Sequence, residues 1–206
     1  GHGQSEGPPR DSIDDLVSFI DALLTAAGAP HAALVGHSMG AIVALEAAAK
    51  LPEKVTNIGL LGIASSMPVH PNLLNSAKDN PAAAYDMMTG WCFSPAAKIG
   101  GNTAPGLWLT GGARALFGHG QGGALAVDLA ACNAWTTGAD AARRVQCPAL
   151  FLSGASDVMT PARKAAELAK LIPQASSVTL KNSGHMMMSE QPDAVLDALI
   201  AHFGAA

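Results

Sequence analysis

The chain has 206 residues, of which 49% are hydrophobic and 14% charged, with a formal net charge of −4. A chain this apolar, set against ~25% charged residues in an average protein, can bury a large core in one domain, or one domain with a sizeable insertion, and an ordered chain is expected. No Lys/Arg run is present to neutralise phosphates, so no nucleic-acid partner is expected.

In chain order, Asp11 to Ala27 carries Ile13, Leu16, Val17, Ile20, Leu23 and Leu24 at helical spacing, with Asp11 as N-cap and Gly28 as the stop. Ala32–Val35 is a short apolar run without alternation, which predicts a strand buried on both faces. Ser38 to Leu51 is apolar around most of its circumference and ends at Pro52, so it predicts a central helix. Val55–Ile63, Ala149–Leu152 and Val178–Leu180 are three further strand candidates. Thr160-Pro161 predicts a helix through Leu171 with Thr160 as N-cap, and Pro192 opens the last helix, through Phe203. Strand and helix in alternation predict an α/β fold with a mainly parallel sheet of about four strands and flanking helices.

Met67 to Arg144 breaks this rhythm. It is too long for one crossover helix and holds Trp91, Trp108, Trp135 and Tyr85 with many glycines. It reads as an inserted helical cap, residues 67–144, within a core formed by residues 1–66 and 145–206.

Three motifs carry chemistry. Gly36-His37-Ser38-Met39-Gly40 fits G-x-S-x-G between a strand and a helix. That turn is strained, its close neighbours must lack a Cβ, and it lifts the Ser38 hydroxyl to a helix N-terminus. Asp157 follows the Ala149–Leu152 strand, where sites form in parallel sheets. His185, in Asn182-Ser183-Gly184-His185, follows the last strand. The competing histidines are His2 and His31, which precede the nucleophile, His37 beside it, His70 and His119 in the insertion, and His202 in the final helix. The second strand ends in Ala64, Ser65 and Ser66, none acidic, which favours Asp157 as the acid.

On these residues, with Glu190-Gln191-Pro192 and the opening Gly1-His2-Gly3-Gln4-Ser5, the sequence resembles the capped α/β hydrolases. The resemblance covers nearly the whole chain outside the insertion. It implies Ser38 as nucleophile, His185 as general base and Asp157 as the acid that orients it, with Met39 N–H as an oxyanion donor. Members of this family usually carry three or four more strands before the Gly-His-Gly stretch, and a second oxyanion donor among them. On that comparison the fold is expected to be truncated and the second donor is unassigned, with the glycine-rich stretch Gly118–Gly122 an alternative source. The strand at Ala32–Val35 then becomes a sheet edge, and a homo-oligomer covering it is expected.

The resulting reading is a serine carboxylesterase acting on small to medium uncharged esters through an acyl-enzyme. The expected pocket residues are His37, Met67, Trp91, Trp108, Trp135, Met159 and Met186, together with Phe93, Leu109 and Phe117. The alternatives are a non-catalytic or weakly active fragment that acts by binding or oligomerisation, and a lactonase, perhydrolase or lyase using the same residues. No metal motif, P-loop or dinucleotide fingerprint occurs, so no cofactor is expected. Cys92, Cys132 and Cys147, odd in number and without a CxxC, read as free buried thiols of a reducing compartment. The polar N-terminus and the interruption of Ala32–Ala49 by His37, Ser38 and Glu46 predict neither a leader nor a membrane span. A cytoplasmic location follows as an expectation.

Overall fold

The computed structural model describes residues 1–101, 106–120 and 123–204. Helix α1 (Ile13–Ala26) is capped by Ser12, whose hydroxyl accepts from Asp15 N at 3.2 Å. The cap is thus one residue beyond the expected Asp11, because Ser12 is the extended residue at the helix start. Gly28, at φ +64°, ends this segment as expected. Strand β1 (Ala32–His37) runs through the Ser38 turn into α2 (Met39–Lys50), and β2 (Val55–Leu61) follows.

Between β2 and the next strand lie helices α3 (Pro71–Asp79), α4 (Pro81–Cys92), α5 (Pro95–Lys98), α6 (Leu109–Gly118), α7 (Ala124–Ala134) and α8 (Gly138–Arg144). Proline opens α3, α4 and α5, where its missing N–H costs nothing. Strand β3 (Ala149–Gly154), α9 (Ala162–Ala169), β4 (Ala175–Leu180), α10 (Met187–Glu190) and α11 (Pro192–Phe203) complete the order.

The sheet is four-stranded and fully parallel in the order β1-β2-β3-β4. Side-chain alternation divides its core between two faces. Ile58, Leu60 and Phe151 pack with α1, α2, α8 and α9, whereas Leu61, Leu152 and Leu180 pack with Met187 and Val195 of α10 and α11. β2 and β3 are buried as expected, but β1 and β4 are not buried on both faces. Val35 is 52% exposed, and most of β4 is exposed, because each has one strand neighbour among the described residues. All three thiols are free and buried. No helix among the described residues is long and apolar enough to cross a membrane.

Helix α2 is buried from Ala41 to Ala48, Glu46 included. A buried carboxylate needs donors, and these come from the insertion. Trp135 Nε1 donates to Glu46 Oε1 at 2.8 Å and the Thr137 hydroxyl donates to the same oxygen. Lys50 and Arg144 stand 3.6 and 3.9 Å from Oε2. Glu46 therefore joins α2 to the α7–α8 junction. Glu46→Ala leaves the Trp135 N–H unpaired in the core and is expected to lower unfolding free energy by about 3 kcal/mol. Glu46→Gln, which keeps an acceptor, should cost clearly less, as measured by urea denaturation.

Candidate active site

Ser38 sits at φ 55°, ψ −118°, one of two described non-glycine residues at positive φ. Such backbone costs on the order of 1–3 kcal/mol and persists only where its surroundings enforce it. Here Ser38 N donates to Leu61 O at 2.9 Å, prolonging the β1–β2 ladder, while Ser38 O accepts from Ala41 N and Ile42 N of α2. A Cβ on Gly36 would overlap the carbonyl of Gly40, so position 36 requires glycine. Gly40 itself faces open space, and the expectation that both glycines relieve crowding holds only at Gly36. The turn leaves the Ser38 side chain at the start of α2, whose first N–H groups, Met39 among them, have no acceptor one turn back.

Asp157 follows β3 in a turn built on its own carboxylate. Oδ1 accepts from Met159 N at 2.8 Å and Thr160 N at 2.9 Å. Oδ2 accepts from the Thr160 hydroxyl at 2.6 Å and pairs with His185 Nδ1 at 2.8 Å. Burial alone would raise the Asp157 carboxyl, but the hydrogen bonds from His185 and Thr160 and the nearby His185 charge outweigh it and hold the group below its ordinary range. An ionised carboxylate only accepts, so the proton between the two residues belongs to His185 Nδ1. Thr160 was expected to cap α9. Its hydroxyl instead lies between Asp157 and His185, 3.2 Å from Nδ1, and α9 begins after Pro161 without a side-chain cap.

His185 is 2% exposed, and its Nε2 is buried without a hydrogen-bond partner. With Nδ1 protonated, Nε2 presents a bare lone pair. The ring rests against Gly62, at φ +65°, where a Cβ would come within 3.0 Å of Cε1. The backbone around it is anchored on several sides. His37 Nε2 donates to His185 O at 2.9 Å, and the two rings are 4.6 Å apart. Ser183 O accepts from Ser156 N at 2.8 Å, joining the loops after β3 and β4.

A cavity of about 340 Å³ opens at Ser38. Its other described walls are Met67, Pro68, Val69, His70, Leu73, Trp91, Leu129, Cys132, Val158, Met159 and Thr160, with no Asp, Glu, Lys or Arg. Of the expected pocket residues, Met67, Trp91 and Met159 line it. His37 lies against the His185 ring, and Trp135 is turned to Glu46. Trp108 is 76% exposed at the start of α6. Met186, Phe93, Leu109 and Phe117 do not line it but pack with Cys92 in a cluster that Met159 also joins. Within the Gly118–Gly122 stretch, Gln121 and Gly122 lie outside the described residues. Thr160, His70 and Gly62 went unassigned to the site. The one available signal was the three-residue step from Asp157 to Thr160, which suits a carboxylate-centred turn.

The structure thus pairs Asp157 with His185 and joins both through Thr160 to the wall of the cavity at Ser38, while no hydrogen bond connects the Ser38 hydroxyl to His185 Nε2. The profile of the alpha/beta hydrolase family matches residues 1–198, and the chain belongs to that family. It is 26% identical to a protein provisionally named carbamate hydrolase RutD from Pseudomonas savastanoi pv. phaseolicola, over 90% of this chain and 72% of that protein. Its fold is similar to the enol-lactonase of Burkholderia xenovorans LB400, with TM-score 0.89 and 22% identity over 98% of this chain and 77% of that one. A thermophilic esterase aligns with TM-score 0.81 and 25% identity over 99% of this chain and 77% of its own.

Burial, followed by the charge of His185, lowers the His37 pKa from 6.5 to about 4, despite the hydrogen bond to His185 O. Folded His37 therefore stays neutral where the unfolded residue takes a proton, so stability rises with pH between about 4 and 6.5 and is fully present above that window. The contribution amounts to at most roughly 3 kcal/mol. Thermal unfolding followed from pH 7 to pH 4 should show this loss, and His37→Gln should flatten the slope over the same interval.

Proposed function

We propose that the protein is a serine hydrolase of small to medium uncharged carboxylic esters, with Ser38 as nucleophile, His185 as general base and Asp157 as the acid orienting it. The observation that supports the reading is the bare, buried Nε2 of a histidine whose Nδ1 is fixed on an ionised aspartate, both bonded by Thr160, which lines the cavity that opens at Ser38. In this reaction His185 Nε2 takes the proton from Ser38 Oγ as Oγ attacks the ester carbonyl, and Asp157 stabilises the imidazolium. Negative charge gathers on the carbonyl oxygen, and Met39 N–H is the donor that meets it. The carbon–oxygen bond to the alcohol then breaks, and the alcohol leaves with the proton from His185. Water, deprotonated by His185, releases the acid from the acyl-enzyme.

The lack of Asp, Glu, Lys and Arg among the described walls of the cavity supports the substrate class. A carboxylate or ammonium group entering it would lose water without gaining an opposite charge. The helices between β2 and β3, which supply Trp91, Leu129 and Cys132 to the cavity, act in this reading as its cap.

The experiment is hydrolysis of p-nitrophenyl acetate and butyrate by the purified protein beside Ser38→Ala and Asp157→Asn. Turnover should fall by about 10⁴-fold in Asp157→Asn and by more in Ser38→Ala, with KM little changed. Turnover by Ser38→Ala equal to that of the unaltered protein would sink the assignment.

A further inference from the structure

Glu190 is a buried carboxylate that the reaction above does not use. It is 2% exposed at the end of α10 and has no ion pair among the described residues. Its two oxygens go separate ways. Oε1 accepts from Gly184 N at 2.7 Å, beside the base, and Oε2 accepts from Ser94 N at 3.0 Å, just after α4. On the other side of His185, Met186 N donates to Cys92 O at 3.0 Å. The residues flanking His185 are thus both tied to the stretch Cys92–Ser94. The two backbones touch there: a Cβ on Gly184 would come within 2.7 Å of Ser94 N and 2.8 Å of Cys92 O. Residue 91, one step before this contact, is the tryptophan that walls the cavity.

A buried carboxyl group spanning two backbone N–H groups on separate segments holds them at fixed distance, since releasing either leaves a buried oxygen and a buried N–H without partners. We propose that Glu190 is a positioning residue for His185, clamping the base loop to the end of α4 so that the placement of the Trp91 cavity wall sets the aim of the imidazole. The inference rests on the reading of His185 as general base. Its consequence is that a substrate filling the cavity against Trp91 seats the base, so fit is expressed in kcat and not only in KM. Glu190 stays clear of the reacting atoms and acts through the Gly184 amide.

The test compares the unaltered protein with Glu190→Gln and Glu190→Ala. Glutamine keeps the shape but offers one acceptor oxygen, and its NH₂ faces a second donor. Turnover of p-nitrophenyl butyrate should fall about 10- to 100-fold in Glu190→Gln and further in Glu190→Ala, with KM within twofold, since a misaimed base costs rate and not ground-state binding. The second readout is the low-field proton resonance of His185 Nδ1, measured on folded protein and assigned with His185→Gln. It should shift or broaden in both Glu190 variants, and it requires no turnover, so it remains decisive even if the esterase reading fails. An unchanged resonance, or a loss of kcat matching only the loss of folded protein, overturns the proposal.

Discussion

The turn at Ser38 governs the arrangement of everything around it. Gly36 passes so close beneath the Gly40 carbonyl that no side chain fits between strand and helix, and within this tight turn the backbone of Ser38 lies at positive φ. The ladder bond from Ser38 N to Leu61 O then prolongs β1 against β2, and the two bonds to Ser38 O start α2. Because α2 leaves the turn directly into the core, its sequence is apolar over most of its circumference, and the one buried charge it carries, Glu46, has to find donors in the insertion. One short turn thus sets the position of a hydroxyl and of the central helix together.

Three carboxylates are buried among the described residues, and each joins segments distant in sequence. Glu46 links α2 to the α7–α8 junction through an indole and a hydroxyl. Asp157 links the loops after β3 and β4 through His185. Glu190 links the loop after β4 to the end of α4 through two backbone amides. Desolvation penalises each of them, and hydrogen-bond donors offset the penalty only in one geometry. Apolar packing brings these elements together, whereas the carboxylates fix their relative placement.

Much of this was legible in the sequence, because strands and core helices announce themselves by apolar runs and the elbow by its glycines. The parallel sheet, the positions of Ser38, Asp157 and His185 beyond strand ends, and the helix from Pro192 to Phe203 follow from local pattern alone. The remainder depended on pairing over long distance. That Thr160 turns back to Asp157 while Pro161 starts the helix cannot be read from Thr-Pro, whose usual meaning is a cap. The burial expected for β1 failed because an apolar strand reads alike at a sheet edge and in its centre. Aromatic residues in the insertion gave no sign of their direction: Trp91 faces the cavity, Trp135 the core and Trp108 solvent. A glutamate such as Glu46 or Glu190 reads as surface until its distant donors, Trp135 for the one and Ser94 for the other, are known.

The most direct measurement is mass spectrometry of the intact protein after exposure to a fluorophosphonate, with peptide mapping of the adduct, for the unaltered chain and His185→Ala. An activated Ser38 forms one adduct, mapped to the peptide that contains it, and loses it when the base is removed. No adduct on a folded sample, or an adduct on another serine that persists in His185→Ala, would contradict the assignment of Ser38 as a nucleophile served by His185.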